Sequence, residues 1–276
     1  MRIDSHQHFW LYDSVKDAWI TDDMKVIQRN FLPNDISKTL KDNRMDGVVA
    51  VQADQSIRET EFLVELATAY KMIKGIVGWV DLRAEDIESQ LLKFSDFPVI
   101  KGFRHIVEAE AEGDFLIQPE FQRGIKALTK YKYSYDLLVR PVHYASTLKC
   151  VADNPEQQFI LDHMAKPAVA AGEFAEWAAF ITALSAFPNV YCKISGLVTE
   201  ADWKAWSIAD FELYIRHAVD SFGKRRICFG SDWPVSTLAA TYEQLLEISE
   251  AYLEGFTDIE KADFFGGNAV RFYNLK

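Results

Sequence analysis

The sequence predicts an α/β protein folded as a single (β/α)8 TIM barrel over residues 1–276. Three observations support this class: eight short apolar runs, helix-like segments between them, and a length of 276 residues that suits one barrel. Strands that alternate with helices pair in parallel through right-handed crossovers. A doubly wound open sheet is the alternative fold, and the absence of GxGxxG after the first run makes it the weaker one.

The apolar runs are rich in Val and Ile and nearly continuous, as is typical of strands buried on both faces. They are RID near residue 3, GVVAVQA ending near residue 53, GIVGWVDL (75–82), PVIKGFR (98–104), YDLLVRPV (135–142), QFILDH (158–163), NVYCKIS (189–195) and RICFGSD (226–232). Helical spacing of apolar residues predicts helices between them, as in ETEFLVELATAY (59–70), EFAEWAAFITALSAF (173–187) and TYEQLLEISEAYL (241–253).

Composition excludes several classes of function. A formal net charge of -11 and a pI near 5.1 argue against nucleic acid as a partner, since phosphate binding needs a basic face. No signal-peptide pattern opens the chain, and no apolar run reaches the length of a membrane span. The three cysteines, Cys150, Cys192 and Cys228, form neither CxxC nor an even set, so we expect a cytoplasmic protein without disulfides.

Polar side chains collect where the predicted strands end, which is the edge that carries the active site in such barrels. On the first strand, the two-residue period predicts that Asp4, His6 and His8 share one face. Other strand ends supply the side chains Lys101, Arg104, His105, Arg140, His143, His163, Lys166 and Asp232. Alone, an HxH pair is often merely solvated and Asp232 can simply cap a turn. Their convergence on one barrel mouth favours a functional site.

The ordered motifs IDSHQHFW, KGFRH, LLVRPVH, FILDHMAKP, KISGL and FGSDWPV, followed by GGNAVRFYNL, together resemble the amidohydrolase superfamily. Within it they are similar to the branch that hydrolyses sugar lactones, which includes L-fuconolactonase and L-rhamnonolactonase. The resemblance covers nearly the whole chain. It implies a distorted (β/α)8 barrel that hydrolyses a cyclic ester.

The resemblance also implies roles for individual residues. His6, His8, His163 and Asp232 match positions that ligate a divalent metal and activate water, while Arg104 and His143 match positions that contact substrate. Binuclear relatives carry a carboxylated Lys or a Glu on strand four and a His on strand five, a position that His143 could fill although it comes late in its segment, after Pro141. Here Lys101 lies three residues from Arg104, on the opposite side of a regular strand, which argues against a binuclear centre. Two alternatives stay open: a single divalent metal ion, with zinc as the first candidate, or catalysis without metal.

For the chemistry, Asp232 is the candidate general base, because an ordinary Asp is ionised at neutral pH. His163 and Arg104 are the other catalytic candidates, as a zinc ligand or as groups that stabilise the oxyanion. A sugar ring needs hydrogen-bonding groups and an aromatic floor. The candidates for these contacts are Trp10, Trp19, Gln52, Trp79, Asp81, His105, His143, Lys166 and Trp233.

The substrate expected is an L-fucono, L-rhamnono or L-galactono type of lactone, opened to the aldonic acid. Two other functions compete with this one. A metal-dependent decarboxylase of an unsaturated or aromatic acid would share the histidines and Asp232 and would use Arg104 and Arg140 as a carboxylate clamp. A non-catalytic barrel that binds a sugar acid or metal is the other. By analogy with the fold we expect a monomer or homodimer.

Overall fold

The computed structural model describes residues 1–276 and contains one eight-stranded parallel sheet with the strands in sequence order. The strands are β1 (Ile3–Gln7), β2 (Gly47–Val51), β3 (Ile73–Gly78), β4 (Ile100–His105), β5 (Ser134–Leu137), β6 (Phe159–Leu161), β7 (Val190–Ile194) and β8 (Ile227–Phe229). Every strand coincides with one of the eight apolar runs. The predicted (β/α)8 class is therefore confirmed, and the open doubly wound alternative is excluded by the strand order.

A helix follows each strand and covers the outside of the sheet. The helices are α1 (Pro33–Asp42), α2 (Ile57–Ala69), α3 (Ile87–Lys93), α4 (Pro119–Tyr131), α5 (Tyr144–Asp153), α6 (Ala175–Ser185), α7 (Glu212–Phe222) and α8 (Tyr242–Ala251), with α9 (Asp258–Ala262) and α10 (Asn268–Tyr273) added at the end of the chain. None of these helices is both long enough and apolar enough to span a bilayer.

The sheet closes between β1 and β8 through backbone hydrogen bonds rather than a full ladder. His8 donates its amide hydrogen to the carbonyl of Trp233 at 2.8 Å, and Asp232 donates to the carbonyl of His6 at 2.9 Å. The seam between β1 and β8 thus joins the segment of His6 and His8 to the segment of Asp232, and both segments contain predicted site residues.

The face predicted for Asp4 is wrong, because the pairing of β1 with β2 shifts register between Asp4 and Gln7. The extra residue reverses the alternation of side chains. The Asp4 carboxylate therefore accepts hydrogen bonds from Gln7 Nε2 and from the hydroxyl of Tyr242 in α8, away from His6 and His8.

Two apolar clusters hold the barrel. The larger one fills the space between the sheet and its helices. The smaller one closes the lower end of the barrel, and we call it the floor; its buried members are Ile3, Val49, Val51, Val77, Ile160, Cys228, Ala269, Tyr273 and Leu275. Because α10 and the residues after it supply three of these, the end of the chain plugs the barrel opposite the predicted site.

Candidate active site

Four side chains from three segments converge at the mouth of the barrel. His8 Nε2 lies 3.2 Å from His6 Nε2 and 3.3 Å from Asp232 Oδ1. Asp232 Oδ1 also lies 3.9 Å from His6 Nε2 and 3.7 Å from His163 Nε2. All four residues are at most 5% exposed. The structure thus brings together every residue that the sequence predicted as a metal ligand.

The outer ring nitrogens of the histidines are held by neighbours. His8 Nδ1 lies 2.8 Å from the carbonyl oxygen of Val51, which can only accept, so this nitrogen carries the hydrogen and Nε2 presents its lone pair. His163 Nδ1 lies 2.8 Å from Ser195 Oγ. Ligands of a tetrahedral zinc site lie about 3.3 Å apart, given Zn–N distances of about 2.0–2.1 Å. The donor set and its spacings therefore fit one divalent cation.

Below the four residues lies a layer of buried charge that the sequence did not reveal, formed by Asp136, Asp162 and Lys193. The Lys193 ammonium lies 2.6 Å from Asp136 Oδ2 and 2.9 Å from Asp162 Oδ1, and all three side chains are fully buried. Lys193 Nζ also lies 3.1 Å from His6 Nδ1. We call these three residues the charged layer; it fixes the orientation of the His6 ring.

Arg104 links this layer to the mouth. Its Nη1 donates to Asp162 Oδ2 at 3.0 Å and lies 3.4 Å from His6 Nε2, while Nη2 donates to the backbone carbonyl of Gln52 at 2.6 Å. Gln52 in turn donates from Nε2 to the carbonyl of Arg104. Gln52, predicted to contact substrate, is fully buried and instead holds Arg104 in place.

Lys101, at the start of β4, donates to the carbonyl of Asn274 at 3.1 Å beside the floor, at the end of the barrel opposite the mouth. It therefore cannot bridge two metal ions at the mouth.

His163 begins a rare backbone segment. The four consecutive residues His163–Lys166 all have φ between 49° and 59°, which is a left-handed turn without glycine. This conformation costs roughly 1–2 kcal/mol per residue and persists only where the surroundings enforce it. Here Trp177 Nε1 donates to the carbonyl of Met164 at 2.6 Å, and Met164 and Ala165 are fully buried. The turn carries His163 and Lys166 into the same cavity.

Burial and neighbouring charges set the protonation of these groups. Burial alone would raise the pKa of Asp232, but His163 and the other histidines outweigh it and lower the pKa below its usual range. Burial lowers the pKa of His163 to about 4. Burial, reinforced by the Lys193 ammonium, also lowers the pKa of His6. At neutral pH His6 and His163 are therefore neutral imidazoles beside the ionised carboxylate of Asp232, the protonation states that metal ligands and a general base require.

A cavity of about 440 Å³ opens next to this cluster. Its lining residues are His8, Trp10, Trp19, Ala53, Gln55, Arg104, Ile106, Glu108, Ala109, Leu138, Arg140, His163, Lys166, Asp232 and Val235. Trp19 and Lys166, predicted as substrate contacts, belong to this wall, as does Trp10. The volume suits a small polar ligand such as a monosaccharide derivative.

Five other predicted contacts do not line this cavity, and one of them, Asp81, accepts a hydrogen bond from the amide of Arg83 through Oδ1. His105 stacks on Phe115 and pairs with Glu110, and the Trp233 ring packs against Phe9 and Phe31. The remaining two are placed as follows.

Trp79, just after β3, is not among the lining residues, and Thr60 Oγ1 accepts from its backbone amide. β5 ends at Leu137, and His143 lies in a short turn beyond it. The chain leaves the sheet here, since Pro141 lacks the amide hydrogen that a strand residue would donate. His143 Nε2 lies 3.2 Å from the carbonyl of Glu110, so His143 is not a strand-five ligand here.

Sequence reasoning missed the charged layer and two glutamates near the cavity, Glu108 and Glu200. For Lys193 a signal existed, because Lys193 and Ser195 lie two apart on a strand that is otherwise apolar, so both face one side. Glu108 and Glu200 lie in loops, where no periodicity marks a side chain that faces inward.

The fold and the mouth geometry define a (β/α)8 barrel with clustered histidines and a carboxylate at its mouth, and comparison with known proteins assigns it to a family. The amidohydrolase family model matches residues 3–275, and the chain belongs to this family. This confirms the resemblance inferred from the motifs.

Three relatives are similar to this chain over its whole length. A curated L-fucono-1,5-lactonase of Burkholderia multivorans is 37% identical over 286 residues, which is 100% of this chain and 96% of the relative. The L-fucono-1,5-lactonase of Burkholderia ambifaria is 34% identical and covers 99% of this chain and 96% of its own length. The crystal structure of a Burkholderia multivorans amidohydrolase with bound zinc is 37% identical, covers 100% of both chains and superposes with a TM-score of 0.96.

Proposed function

We propose that this protein is a lactonase that opens L-fucono-1,5-lactone, or a lactone with the same pattern of hydroxyls, to the aldonic acid. The observation that carries the proposal is the convergence of His6, His8, His163 and Asp232 on a small cavity. This convergence occurs in a chain that is similar over its full length to two L-fucono-1,5-lactonases. The predicted class, an enzyme that hydrolyses sugar lactones, is confirmed by these relatives.

In this proposal Asp232 is the general base. Its ionised carboxylate accepts a proton from the attacking water, whose oxygen forms the new bond to the lactone carbonyl carbon. Collapse of the tetrahedral intermediate then breaks the bond between that carbon and the ring oxygen, which leaves as a hydroxyl by taking the proton that Asp232 accepted from the water, so that Asp232 returns to its ionised form. Asp232 is well placed for this, because its backbone is fixed at the β1–β8 seam and three imidazoles surround its carboxylate.

Arg104 supplies positive charge beside the reacting carbonyl. Its guanidinium lines the cavity and is only 3% exposed, so the charge acts in a setting where water screens it little. The contacts to Asp162 and Gln52 hold it rigid. Arg104 therefore stabilises the negative charge that develops on the carbonyl oxygen without having to reorganise.

His6, His8 and Asp232 offer ligand atoms within 4.8 Å of one another, and His163 Nε2 lies 3.7 Å from Asp232 Oδ1. These four residues would hold one divalent cation, zinc being the ion that three imidazoles and a carboxylate suit. The chemistry that a bound zinc ion supplies is the acidification of water, from a pKa of about 15.7 towards about 7. The chain's part is to keep the Nε2 lone pair of His8 free, through the contact of Nδ1 with Val51, and to orient His6 from below through Lys193.

No observation favours the alternative decarboxylase. That activity needs a cationic clamp for a carboxylate, and the positive charge of each arginine predicted for it is already balanced by a carboxylate of the protein. Arg104 is bound to Asp162 at 3.0 Å, and Arg140 lies 3.3 Å from Glu108. A neutral lactone fits this wall better than an aromatic carboxylate does.

The test is acid release from a panel of L- and D-sugar lactones by chelator-treated and zinc-reloaded protein, side by side. We expect L-fucono-1,5-lactone to be among the best substrates, with turnover restored by zinc. Equal turnover by both preparations would support the lactonase function and would mean that Asp232, the imidazoles and Arg104 catalyse the reaction without metal. Release of acid from none of the lactones by either preparation would overturn the proposed function.

A further inference from the structure

Four charged side chains that the chemistry above does not use form a cluster at the cavity: Glu108, Arg140 and Lys166 line it, and Glu200 lies beside the two cations. We call it the rim cluster. Lys166 Nζ lies 3.0 Å from Glu108 Oε1 and 2.9 Å from Oε2, and Arg140 Nε lies 3.3 Å from Glu108 Oε2. Glu200 lies farther from the two cations, at 3.8 Å from Lys166 and 3.9 Å from Arg140.

Glu200 lacks the partners that a largely buried carboxylate requires. Its side chain is only 15% exposed, yet neither oxygen accepts a hydrogen bond from the protein, and both ion-pair distances exceed hydrogen-bonding range. The two oxygens are not among the fully buried unpartnered atoms of the protein, so they stay accessible to solvent or to a ligand. Glu200 therefore has acceptor capacity left for a ligand.

The two cations have donor capacity left as well. Lys166 uses one of its three ammonium hydrogens on Glu108, and the Arg140 guanidinium makes no hydrogen bond of good geometry within the protein. The cluster thus offers free acceptors and free donors side by side. A hydroxyl group is the ligand that uses both, because it donates to a carboxylate and accepts from a cation.

The charges of the cluster also define what it does not bind. Two carboxylates and two cations sum to zero formal charge, so neither an anionic nor a cationic ligand is favoured. A neutral polyhydroxylated ring meets this condition. The free acid formed on hydrolysis, being an anion, gains no such advantage.

The position of the cluster relative to the reacting centre is fixed by the backbone. Lys166 closes the left-handed turn that begins at His163, and its amide hydrogen bonds to the carbonyl of His163 at 2.8 Å. The buried side chains of Met164 and Ala165 lock the turn between them. A lactone whose carbonyl lies at Asp232 and His163 would therefore present its hydroxyls to the rim cluster.

We propose that Glu108 and Glu200, together with Lys166 and Arg140, recognise the ring hydroxyls of the lactone and determine the specificity of the enzyme. The inference rests on the proposed lactonase function and deepens it, since it names hydroxylation of the ring as the feature that the enzyme selects.

The test compares two substrates, L-fucono-1,5-lactone and δ-valerolactone, the unsubstituted six-membered lactone. For Glu108→Gln and Glu200→Gln we expect kcat/KM on the hydroxylated lactone to fall about 10- to 100-fold, the range for one hydrogen bond to a charged group. On δ-valerolactone we expect a change of less than about twofold. Glu112→Gln is the matched control, because Glu112 lies in the same loop as Glu108 but is exposed and unpaired.

Equal losses on both lactones would show that the glutamates support the fold or the field of the site generally, and would overturn the inference. The wild-type enzyme provides a second measurement that needs no variant. A preference for the hydroxylated lactone of less than about tenfold in kcat/KM would also overturn it. Acid release from neither lactone by the wild type would instead defeat the proposed function, so the two failures are distinguishable.

Discussion

The two ends of this barrel are formed by the same strands, but they bury opposite kinds of side chain: apolar at one end and charged at the other. Within β1, Ile3 packs into the apolar floor, while His6 faces the mouth three residues later. In the sixth unit, Ile160 belongs to the floor, and Asp162 and His163 belong to the charged site. The floor is composed of well-packed apolar side chains. The mouth combines buried charges with a left-handed backbone turn.

The difference teaches where the stability and the function of this fold reside. Burial of apolar surface stabilises the floor without any special geometry. At the mouth, desolvated charges and strained backbone are retained although they cost free energy, which is expected of a site pre-organised for chemistry. The charged layer separates the two ends, and the hydroxyl of Tyr273 in the floor donates to Asp136 Oδ2 in this layer at 2.7 Å.

The largest effect is expected from Asp232→Asn, which changes the chemistry of the mouth and leaves the contacts of the floor unchanged. We expect kcat on L-fucono-1,5-lactone to fall by about 10²- to 10⁴-fold, since the amide cannot accept the proton from water. The thermal unfolding midpoint should stay close to that of the wild type, because no floor contact changes. Steady-state kinetics and differential scanning calorimetry check both parts. Asp96→Asn, at an exposed position, is the matched control, and near-normal turnover by Asp232→Asn would remove this residue from the role of base.

Lys193→Met tests the layer between the two ends. Removal of the ammonium leaves Asp136 and Asp162 facing each other without a counter-charge, so we expect the free energy of unfolding to fall by about 3–5 kcal/mol. Urea unfolding followed by tryptophan fluorescence gives this value. The double variant Lys193→Met/Asp136→Asn should recover part of the loss, since one uncompensated charge is gone. No difference between the single and double variants would show that Asp136 is not paired with Lys193.

The sequence was sufficient for the parts of this comparison that depend on periodicity. Buried strands of a parallel sheet are runs of Val and Ile, and each such run proved to be a strand. The HxH of β1 could be placed at the mouth because its two histidines lie two residues apart, and in the structure their Nε2 atoms lie 3.2 Å from each other. Asp4 lies before the register shift in β1, and no local pattern predicted that shift.

The parts that the sequence did not predict depend on contacts between distant segments. Asp136 lies on β5, Lys193 lies on β7 and Asp162 directly follows β6, so their pairing requires the closed barrel. The left-handed turn at His163–Lys166 contains no glycine and therefore had no signature in the sequence. Glu108 and Glu200 meet Lys166 only because loops after β4, β6 and β7 fold over the same cavity.

Glu59, in α2 behind the mouth, allows the two ends of the barrel to be compared by the pH dependence of stability. The floor contains no buried carboxylate that could titrate in the same way. Burial raises the pKa of Glu59 from 4.5 to about 7, and its Oε1 accepts from the amide of Ala53. The folded state thus binds this proton more tightly than the unfolded state. The contribution to stability is complete below pH 4.5 and is lost as the pH rises through about 7.

We therefore expect the free energy of unfolding to fall by up to about 3 kcal/mol between pH 5 and pH 8 on account of Glu59. Glu59→Gln keeps an acceptor for Ala53 and removes the titration, so its urea unfolding curves at pH 5 and pH 8 should lie closer together than those of the wild type. An unchanged pH dependence in this variant would mean that other groups cause it.

The smallest effect is expected at the floor, from Ile160→Val. Ile160 is fully buried among the apolar side chains of the lower barrel, and the loss of one methylene leaves a small void. We expect the free energy of unfolding to fall by about 0.5–1.5 kcal/mol. The kcat should change by less than about twofold, although Asp162 lies only two residues along the chain, because Arg104 and Lys193 hold that carboxylate independently of the floor. A tenfold loss of kcat would show that packing at the floor sets the geometry of the mouth, and the two ends would then have to be treated as one cooperative unit.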